Sequence, residues 1–238
     1  MMKILLFRLT LFVGLVFSSQ SSAYQVKPMI AEMTPLGKGA QMSMRIDNTN
    51  DFPLTVELVP LSLKMDSAGA ETLQPADDDL LVIPVTAVIA PGKSQSVMVR
   101  YIGDPEIKQS KAYRISVRQQ NVLRGEDQDL DIGLLMRFDT LMNVKPENTA
   151  PKLSVKSLKK GKHDWLVEVA NQGDSYGRIN DTVWTLKDGS KTHVIRGGEF
   201  REYIVGTLVL PHSSRVFPMK PVKGFSPNST SIEISNLE

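Results

Sequence analysis

The chain has 238 residues, with 28 Lys plus Arg against 26 Asp plus Glu and no cysteine. The first 23 residues hold two of the basic residues, Lys3 and Arg8, and no acidic ones, so the remainder is neutral by count. A neutral balance argues against a nucleic-acid-binding surface, which needs clustered positive charge. The lack of cysteine excludes disulfides and argues against a structural zinc site, so stability must come from apolar burial, for which the length suffices in one or two domains.

The N-terminal residues predict a secretory signal. Lys3 and Arg8 give a basic start, residues 9–17 are apolar, and residues 21–23 are small and precede a cleavage point before Tyr24. The apolar run is shorter than the roughly 20 residues that span a bilayer. We therefore expect residues 1–23 to be a cleaved signal peptide and the mature chain to have no stable membrane insertion; an uncleaved anchor or a buried first helix is the alternative.

Residues 24–146 read as short extended runs separated by turn residues. The runs that we predict as strands are residues 42–46, 54–59, 80–84, 97–101, 112–118 and 130–139. Pro91 and Gly92 form a tight-turn signal ahead of the alternating run that follows, because proline presets φ and glycine tolerates positive φ. No helix of ordinary length is predicted, although residues 104–111 could form a short helical turn.

The run at residues 130–139 is the most regular of these. Its even positions are all large and apolar, and they are Leu130, Ile132, Leu134, Met136 and Phe138. The odd positions include Asp131, Gly133, Arg137 and Asp139. A period of two projects the apolar side chains from one face of an extended strand, which is longer here than the usual five or six residues. Such a strand is either an inner strand of its own sandwich or a row offered to another molecule.

Residues 146–151 contain two prolines and polar residues and predict a boundary between domains at 24–146 and 147–238. Beyond it we predict strands at residues 153–158, 165–169, 182–186, 203–210, 215–217 and 231–234. Asp188 and Gly189 lie between two alternating runs and predict a hairpin. Six or seven strands per half, about ten residues apart, predict an all-β chain of two antiparallel β-sandwich domains in tandem.

Residues suited to catalysis are few. His163, His193 and His212 have no metal-type spacing to one another or to paired carboxylates, and no phosphate-binding loop is present. Ser213 and Ser214 adjoin His212, but neighbours in sequence do not place a base on a nucleophile. We predict a protein that is not an enzyme and that needs neither metal nor cofactor.

Several residues together resemble the periplasmic pilus chaperones of the PapD-like superfamily. They are Pro84, residues 89–100 with Pro91-Gly92 and Arg100, Tyr113-Arg114 on the next strand, and the alternating strand that ends at Lys145-Pro146. The resemblance covers essentially all of the mature chain in order and length, although the second half matches only in outline around residues 210–215. It implies two immunoglobulin-like domains set at an angle.

The resemblance also implies a function, donor-strand complementation of pilin subunits and their delivery to an outer-membrane usher. In this mechanism the strand inserts alternating apolar side chains into the groove of a subunit that lacks a strand. The carried-over donor residues are Leu130, Ile132, Leu134 and Met136, with Phe138 as a fifth candidate. The alternative is a structural pilus subunit or adhesin, which would need its own N-terminal donor extension; residues 24–31 are short for this and are interrupted by Pro28.

One feature of the family is missing in its usual form. The resemblance implies an Arg on the first strand and a Lys on the seventh that hold the subunit's C-terminal carboxylate. Here Glu32 or Met33 stands at the first position and Asp139 lies near the second. The chain therefore looks closer to the divergent branches of the family, which serve alternative or archaic pili. Arg137 and Arg114 are the candidate anchors, because guanidinium binds carboxylate in a bidentate fork, and each could equally be a structural ion-pair partner.

Overall fold

The computed structural model describes residues 24–120 and 135–237. The strands of the first half are β1 (Tyr24–Lys27), β2 (Ile30–Met33), β3 (Gln41–Asn48), β4 (Leu54–Met65), β5 (Glu71–Pro75), β6 (Leu80–Ile83), β7 (Thr86–Ile89), β8 (Ser94–Tyr101), β9 (Lys111–Gln119), β10 (Arg137–Asp139) and β11 (Leu141–Val144). Those of the second half are β12 (Leu153–Lys160), β13 (Trp165–Asn171), β14 (Gly177–Arg178), β15 (Thr182–Asp188), β16 (Lys191–Arg196), β17 (Leu208–Val209), β18 (Ser213–Met219) and β19 (Ser231–Asn236).

The first half is a sandwich of two sheets. One sheet has the order β1-β3-β8-β6, and the other has the order β2-β11-β9-β4-β5, with β10 added on β9 and β7 added on β4. All of these pairs are antiparallel except β2 with β11. The chain passes from one sheet to the other at Pro28 and again at Pro84, where proline cannot donate to a ladder.

The core of this sandwich follows from the period-two pattern. Inward residues of β3 and β8 meet inward residues of β4 and β9, and the members that are fully buried include Met44, Ile46, Val97, Val99, Val56, Leu58, Ile115 and Val117. Alternate side chains on each strand thus fill one apolar layer about 10 Å thick, as in other sandwiches.

The second half is a smaller sandwich. Its sheets are β12-β13-β18 and β16-β15-β19, with β14 and β17 as a separate pair. Trp184 is fully buried at its centre and meets Phe200 edge to face, with 5.2 Å between ring centroids. Residues Phe200–Tyr203 form a single helical turn, α1, that delivers Phe200 to this core. No sheet in the described residues combines strands from both sides of residues 146–151, and the domain limits stay a prediction.

Each sandwich contains a buried asparagine with the same set of hydrogen bonds. Asn48, at the end of β3, donates to the carbonyls of Phe52 and Ile89, both at 2.9 Å, and accepts from the amide of Asn50. Asn171, at the end of β13, donates to the carbonyls four residues ahead and at Val209, and accepts from the amide two residues ahead. The two asparagines therefore fix equivalent loops of the two halves to a distant strand end.

The all-β class is confirmed, and so is the hairpin at Asp188 and Gly189, which joins β15 to β16 with Gly189 at φ 57°. The strand predicted at residues 203–210 was wrong: only Leu208–Val209 is a strand. Gly206 has φ 81° and interrupts the extended run, Tyr203 is the last residue of α1, and Ile204 makes only an isolated bridge to Met219. The helical turn considered at residues 104–111 was also wrong, since those residues form turns and bends.

The two halves touch through a small apolar cluster. Leu63, Ala112 and Leu141 of the first half and Leu208 of the second are buried together, and Tyr176 packs against them. Ser110 adds two polar contacts, because its amide donates to the carbonyl of Asp174 at 2.8 Å and its hydroxyl accepts from the amide of Tyr176 at 2.7 Å.

Candidate functional site

Residues 137–144 form one extended segment against β9. Arg137 lies opposite Arg118, and Val144 lies opposite Lys111, so β10 and β11 keep the same register. Thr140 separates the two strands, and its hydroxyl lies 3.2 Å from both the amide and the carbonyl of Ile115. The C-terminal part of the strand predicted at residues 130–139 is thus extended, and the extended chain continues beyond the predicted end to residue 144.

One edge of β10 is uncovered. The amide of Gln119 donates to the carbonyl of Met136, and the amide of Thr140 donates to the carbonyl of Ile115, so even-numbered residues turn their main-chain groups toward β9. Main-chain groups alternate along an antiparallel pair, so those of Arg137 and Asp139 point to the opposite edge. Among the residues that the structure describes, no strand pairs with that edge of β10. Such an edge is a template for an added strand.

The same edge is covered from Leu141 onward. The amide of Leu141 donates to the carbonyl of Met29 at 2.8 Å, and β2 then runs parallel to β11 as far as Val144. The amide of Lys145 makes the last bond of this series, to the carbonyl of Met33 at 2.8 Å. The uncovered stretch therefore ends at Asp139.

Met136 and Phe138 lie on the core side of the strand, where both are partly buried against the first core. The Phe138 ring meets Tyr24 edge to face with 4.8 Å between centroids. The Tyr24 hydroxyl lies 2.9 Å from the carbonyl oxygen of Met136 and can donate to it. Burial, followed by the nearby Asp139 carboxylate, raises the pKa of Tyr24 to about 12, so this hydroxyl keeps its proton at neutral pH.

The other donor candidates, Leu130, Ile132 and Leu134, lie outside the described residues, and the donor row stays a prediction. The positions of Met136 and Phe138 agree with both interpretations, an inner strand of this sandwich and a row offered to another molecule. In both cases the even-numbered side chains lie on this face of the strand. Leu135, which has the opposite parity, is 55% exposed.

Arg137 lies on the outer face at the uncovered edge. Its side chain is 61% exposed and pairs with Asp139, with 3.0 Å between Nη2 and Oδ2. Arg118 lies directly opposite on β9, so two guanidinium groups share this face, and Glu57 of β4 is the next residue across the sheet. Among the described residues, Asp139 is the ion-pair partner of Arg137, and a second positive charge lies beside it. The sequence reasoning missed Arg118, although it has the same parity as Arg114 on one strand.

Arg114 is engaged within the first half. Its Nε donates to Glu71 Oε2 at 3.1 Å, and Nη2 donates to Glu71 Oε1. The Arg114 side chain is only 18% exposed. This geometry favours the structural ion-pair role among the two roles that the sequence left open for Arg114.

A polar cleft of about 220 Å³ lies between the halves. The Tyr176 hydroxyl donates to Glu32 Oε2 at 2.7 Å, and Lys145 Nζ lies 3.9 Å from the same oxygen. Burial, and then the hydrogen bond to Glu32, raises the pKa of Tyr176. Arg178 also lines the cleft, and its buried Nε has no hydrogen-bond partner among the described residues. The cleft thus holds two cations, Lys145 and Arg178, and two carboxylates, Glu32 and Asp181.

The two residues considered at the first-strand position, Glu32 and Met33, lie in different surroundings. Glu32 faces the cleft, whereas Met33 is buried in the first core at 1% exposure. Asp139 does not line the cleft; the basic residue of this segment that does so is Lys145. Lys145 and Arg137 both occupy odd positions, so the sequence alone could have identified Lys145 as a further candidate. Arg178 could not be found in that way, because its position depends on how the halves dock.

The described residues contain no group of three His, Asp or Glu side chains that could hold a metal ion. His193 contacts the rings of Tyr203 and Phe225, and His212 pairs with Asp174 at 2.7 Å. None of the helices in the described residues has the length and apolar character needed to cross a membrane.

No protein-family profile matches the sequence, and no curated protein matches it significantly. Solved structures do match. A chain of the CsuC-CsuE chaperone-tip adhesion subunit pre-assembly complex, from archaic chaperone-usher Csu pili of Acinetobacter baumannii, is 12% identical with a TM-score of 0.59, over 90% of this chain and 98% of that one. The class 5 fimbriae chaperone CfaA is 12% identical with a TM-score of 0.56, over 91% and 100%.

The E. coli chaperone DraB is 14% identical with a TM-score of 0.54, over 91% of this chain and 96% of DraB. Identities of this size establish the fold alone. The prediction of tandem immunoglobulin-like sandwiches is confirmed, and the resemblance to PapD-like chaperones is confirmed at the level of the fold.

Proposed function

We propose that this protein is a periplasmic chaperone that binds and stabilises pilin-like subunits by donor-strand complementation and delivers them to an outer-membrane usher. It acts by binding, without catalysis or cofactor. The signal at residues 1–23 would bring the mature chain to the periplasm.

The observation that carries the proposal is the uncovered edge of β10. Main-chain groups of Arg137 and Asp139 point outward there, beside the apolar row that the sequence predicts from Phe138 back to Leu130. An added strand would take its affinity from main-chain hydrogen bonds, and the alternate apolar side chains would fill its pockets. Four such side chains contribute on the order of 1.5 to 3 kcal/mol each, before ordering costs.

The solved structures support the chaperone half of the proposal. One of them is a chain of a complex between a chaperone and a tip adhesion subunit. The match covers 90% of this chain and 98% of that one. The alternative, a pilus subunit or adhesin, needs a free N-terminal extension. Residues 24–33 instead pair within this molecule, as β1 with β3 and β2 with β11.

The proposal is tested by co-expression of the full chain with a pilin-like subunit that lacks a strand. We expect a soluble complex of one chaperone and one subunit, and we expect the subunit to aggregate or be degraded when it is expressed alone. A subunit that stays soluble by itself and never co-purifies with this chain would refute the proposal.

Arg137→Ala is expected to weaken subunit capture if Arg137 holds the subunit's terminal carboxylate. Loss of one partner of a buried charge pair leaves the other charge unpaired, which costs about 2 kcal/mol or more, or roughly thirtyfold in Kd. Isothermal titration of purified variants with a subunit peptide would measure this loss.

Arg100→Ala is the matched control, because Arg100 is exposed on the opposite sheet. Lys145→Ala, measured in the same titration, tests whether the subunit's carboxylate is held in the cleft. If Arg137→Ala binds like Arg100→Ala while Lys145→Ala loses affinity, the carboxylate is held in the cleft and the role of Arg137 is rejected. Amidation of the peptide's C-terminus should remove the effect of whichever cation makes the contact.

A further inference from the structure

The hairpin of β4 and β5 reaches from the first half onto the second. Its turn is held by its own bonds, because Asp66 Oδ1 accepts from the amides of Ala68 and Ala70 at 2.9 and 2.8 Å. The carbonyl of Ser67, at the tip, accepts from the amide of Val216 at 2.7 Å. Val216 belongs to β18, so a preformed turn is bound to a strand of the other sandwich.

Arg215 lies beneath this contact. Its Nη1 donates to the carbonyl of Leu208 at 3.0 Å, and its guanidinium carbon lies 4.7 Å above the Phe217 ring. A planar guanidinium suits such a position, because it can stack on an aromatic face and donate in its plane at the same time. The side chain is thereby fixed by its own half before it meets the hairpin.

Two glycines leave room for the guanidinium, one from each half. A Cβ at Gly69 would lie 2.6 Å from Arg215 Nε, and a Cβ at Gly206 would lie 2.6 Å from Arg215 Nη2. Both glycines have positive φ, of 85° and 81°. The guanidinium is therefore enclosed between a loop of the first half and a loop of the second. A Cβ at either glycine would lie too close to it.

The Arg215 guanidinium is partly buried, and its Nε has no hydrogen-bond partner among the described residues. Burial lowers its pKa, and the carboxylate of Glu71 on β5 acts in the opposite direction. Glu71 is also the partner of Arg114 on β9. Glu71 on the hairpin thus pairs with Arg114 on β9 and also favours the charged form of Arg215 on β18.

We infer that Arg215 is a positioning residue that holds the β4–β5 hairpin on β18 and so fixes the angle between the two sandwiches. Relative motion of domains is the ordinary expectation when their interface is small, and the apolar cluster here contains only a few side chains. The packed arginine and the bond from Val216 to Ser67 supply the further restraint. This role does not depend on what the protein binds.

The experiment measures the distance between two spin labels, one in each half. The chain has no cysteine of its own, so cysteines introduced at the exposed Lys93 and Lys159 would carry the only labels. Pulsed electron spin resonance then reports the distribution of distances between them. We expect one narrow distribution in the parent, and a shifted or broadened one in Gly69→Ala and in Arg215→Met.

Gly92→Ala is the matched control, because Gly92 also has positive φ but a Cβ there meets nothing within 4 Å. It carries the same kind of backbone strain as Gly69→Ala without displacing Arg215. Thermal unfolding followed by circular dichroism would identify any variant that does not fold, and Gly69→Ala and Arg215→Met serve as independent tests. If the folded variants keep the parent distribution, the inference is rejected.

Discussion

Replacing Ile132 and Leu134 together by aspartate is expected to abolish subunit capture while the isolated chain still folds. Two apolar contacts worth about 1.5 to 3 kcal/mol each would be lost, and two carboxylates would have to enter apolar pockets at a further cost of several kcal/mol. The period of two predicts that both residues share the face of Met136 and Phe138. Co-purification of a co-expressed subunit measures the effect, and circular dichroism of the free variant establishes that it folds.

The matched control places the same charges on the opposite face. Gly133→Asp with Leu135→Asp alters odd positions of the predicted strand, of which Leu135 is exposed in the free chain. This double variant should retain the subunit. Capture of the subunit by the Ile132 and Leu134 double variant would overturn donor-strand complementation. If both double variants lose capture equally, the partner does not recognise the alternation of apolar side chains.

Asn48→Ala and Asn171→Ala are each expected to lower the free energy of unfolding of their own half by about 2 to 4 kcal/mol. Each change leaves buried carbonyl and amide groups without a partner, and both asparagines are 1 to 2% exposed. Chemical denaturation should be followed with probes in each half, because two domains need not unfold in one step. Asn48→Ala should move the first transition and Asn171→Ala the second.

Asn228→Ala serves as the control, because Asn228 lies in an exposed turn. Its effect should stay within about 0.5 kcal/mol, as is usual for surface positions. An Asn48 or Asn171 variant as stable as the Asn228 variant would contradict the role given to the two buried amides.

The sequence predicted the fold where local pattern decides it. Alternation along β3, β8 and β9, and the turn residues between runs, were sufficient for the all-β class, and Asp188-Gly189 was sufficient for its hairpin. The prediction failed at residues 203–210, where the apolar run looks continuous but Gly206 adopts a positive φ that an extended strand cannot contain. The glycine was visible in the sequence, but the guanidinium of Arg215, which leaves no room for a Cβ there, comes from another strand.

The candidate site divides in the same way. The parity of Met136, Phe138 and Arg137 could be read from the chain, because it is a property of one strand. The cleft could not, because Glu32 and Lys145 come from two strands of one half and Tyr176 and Arg178 come from the other half. Arg114 has the right chemistry for a carboxylate, but its use depends on Glu71, which the sequence does not connect to it.

Met29, the residue before β2, limits the length of any strand that joins the edge of β10. The carbonyl of Met29 already occupies the amide of Leu141, so an incoming strand can extend along this edge only as far as Asp139. A strand shifted by two residues toward β11 would meet Met29 in its path. The edge therefore limits where a partner strand can end. That limit sets the register of the partner strand, and the register determines which of its side chains lies opposite each position of the apolar row.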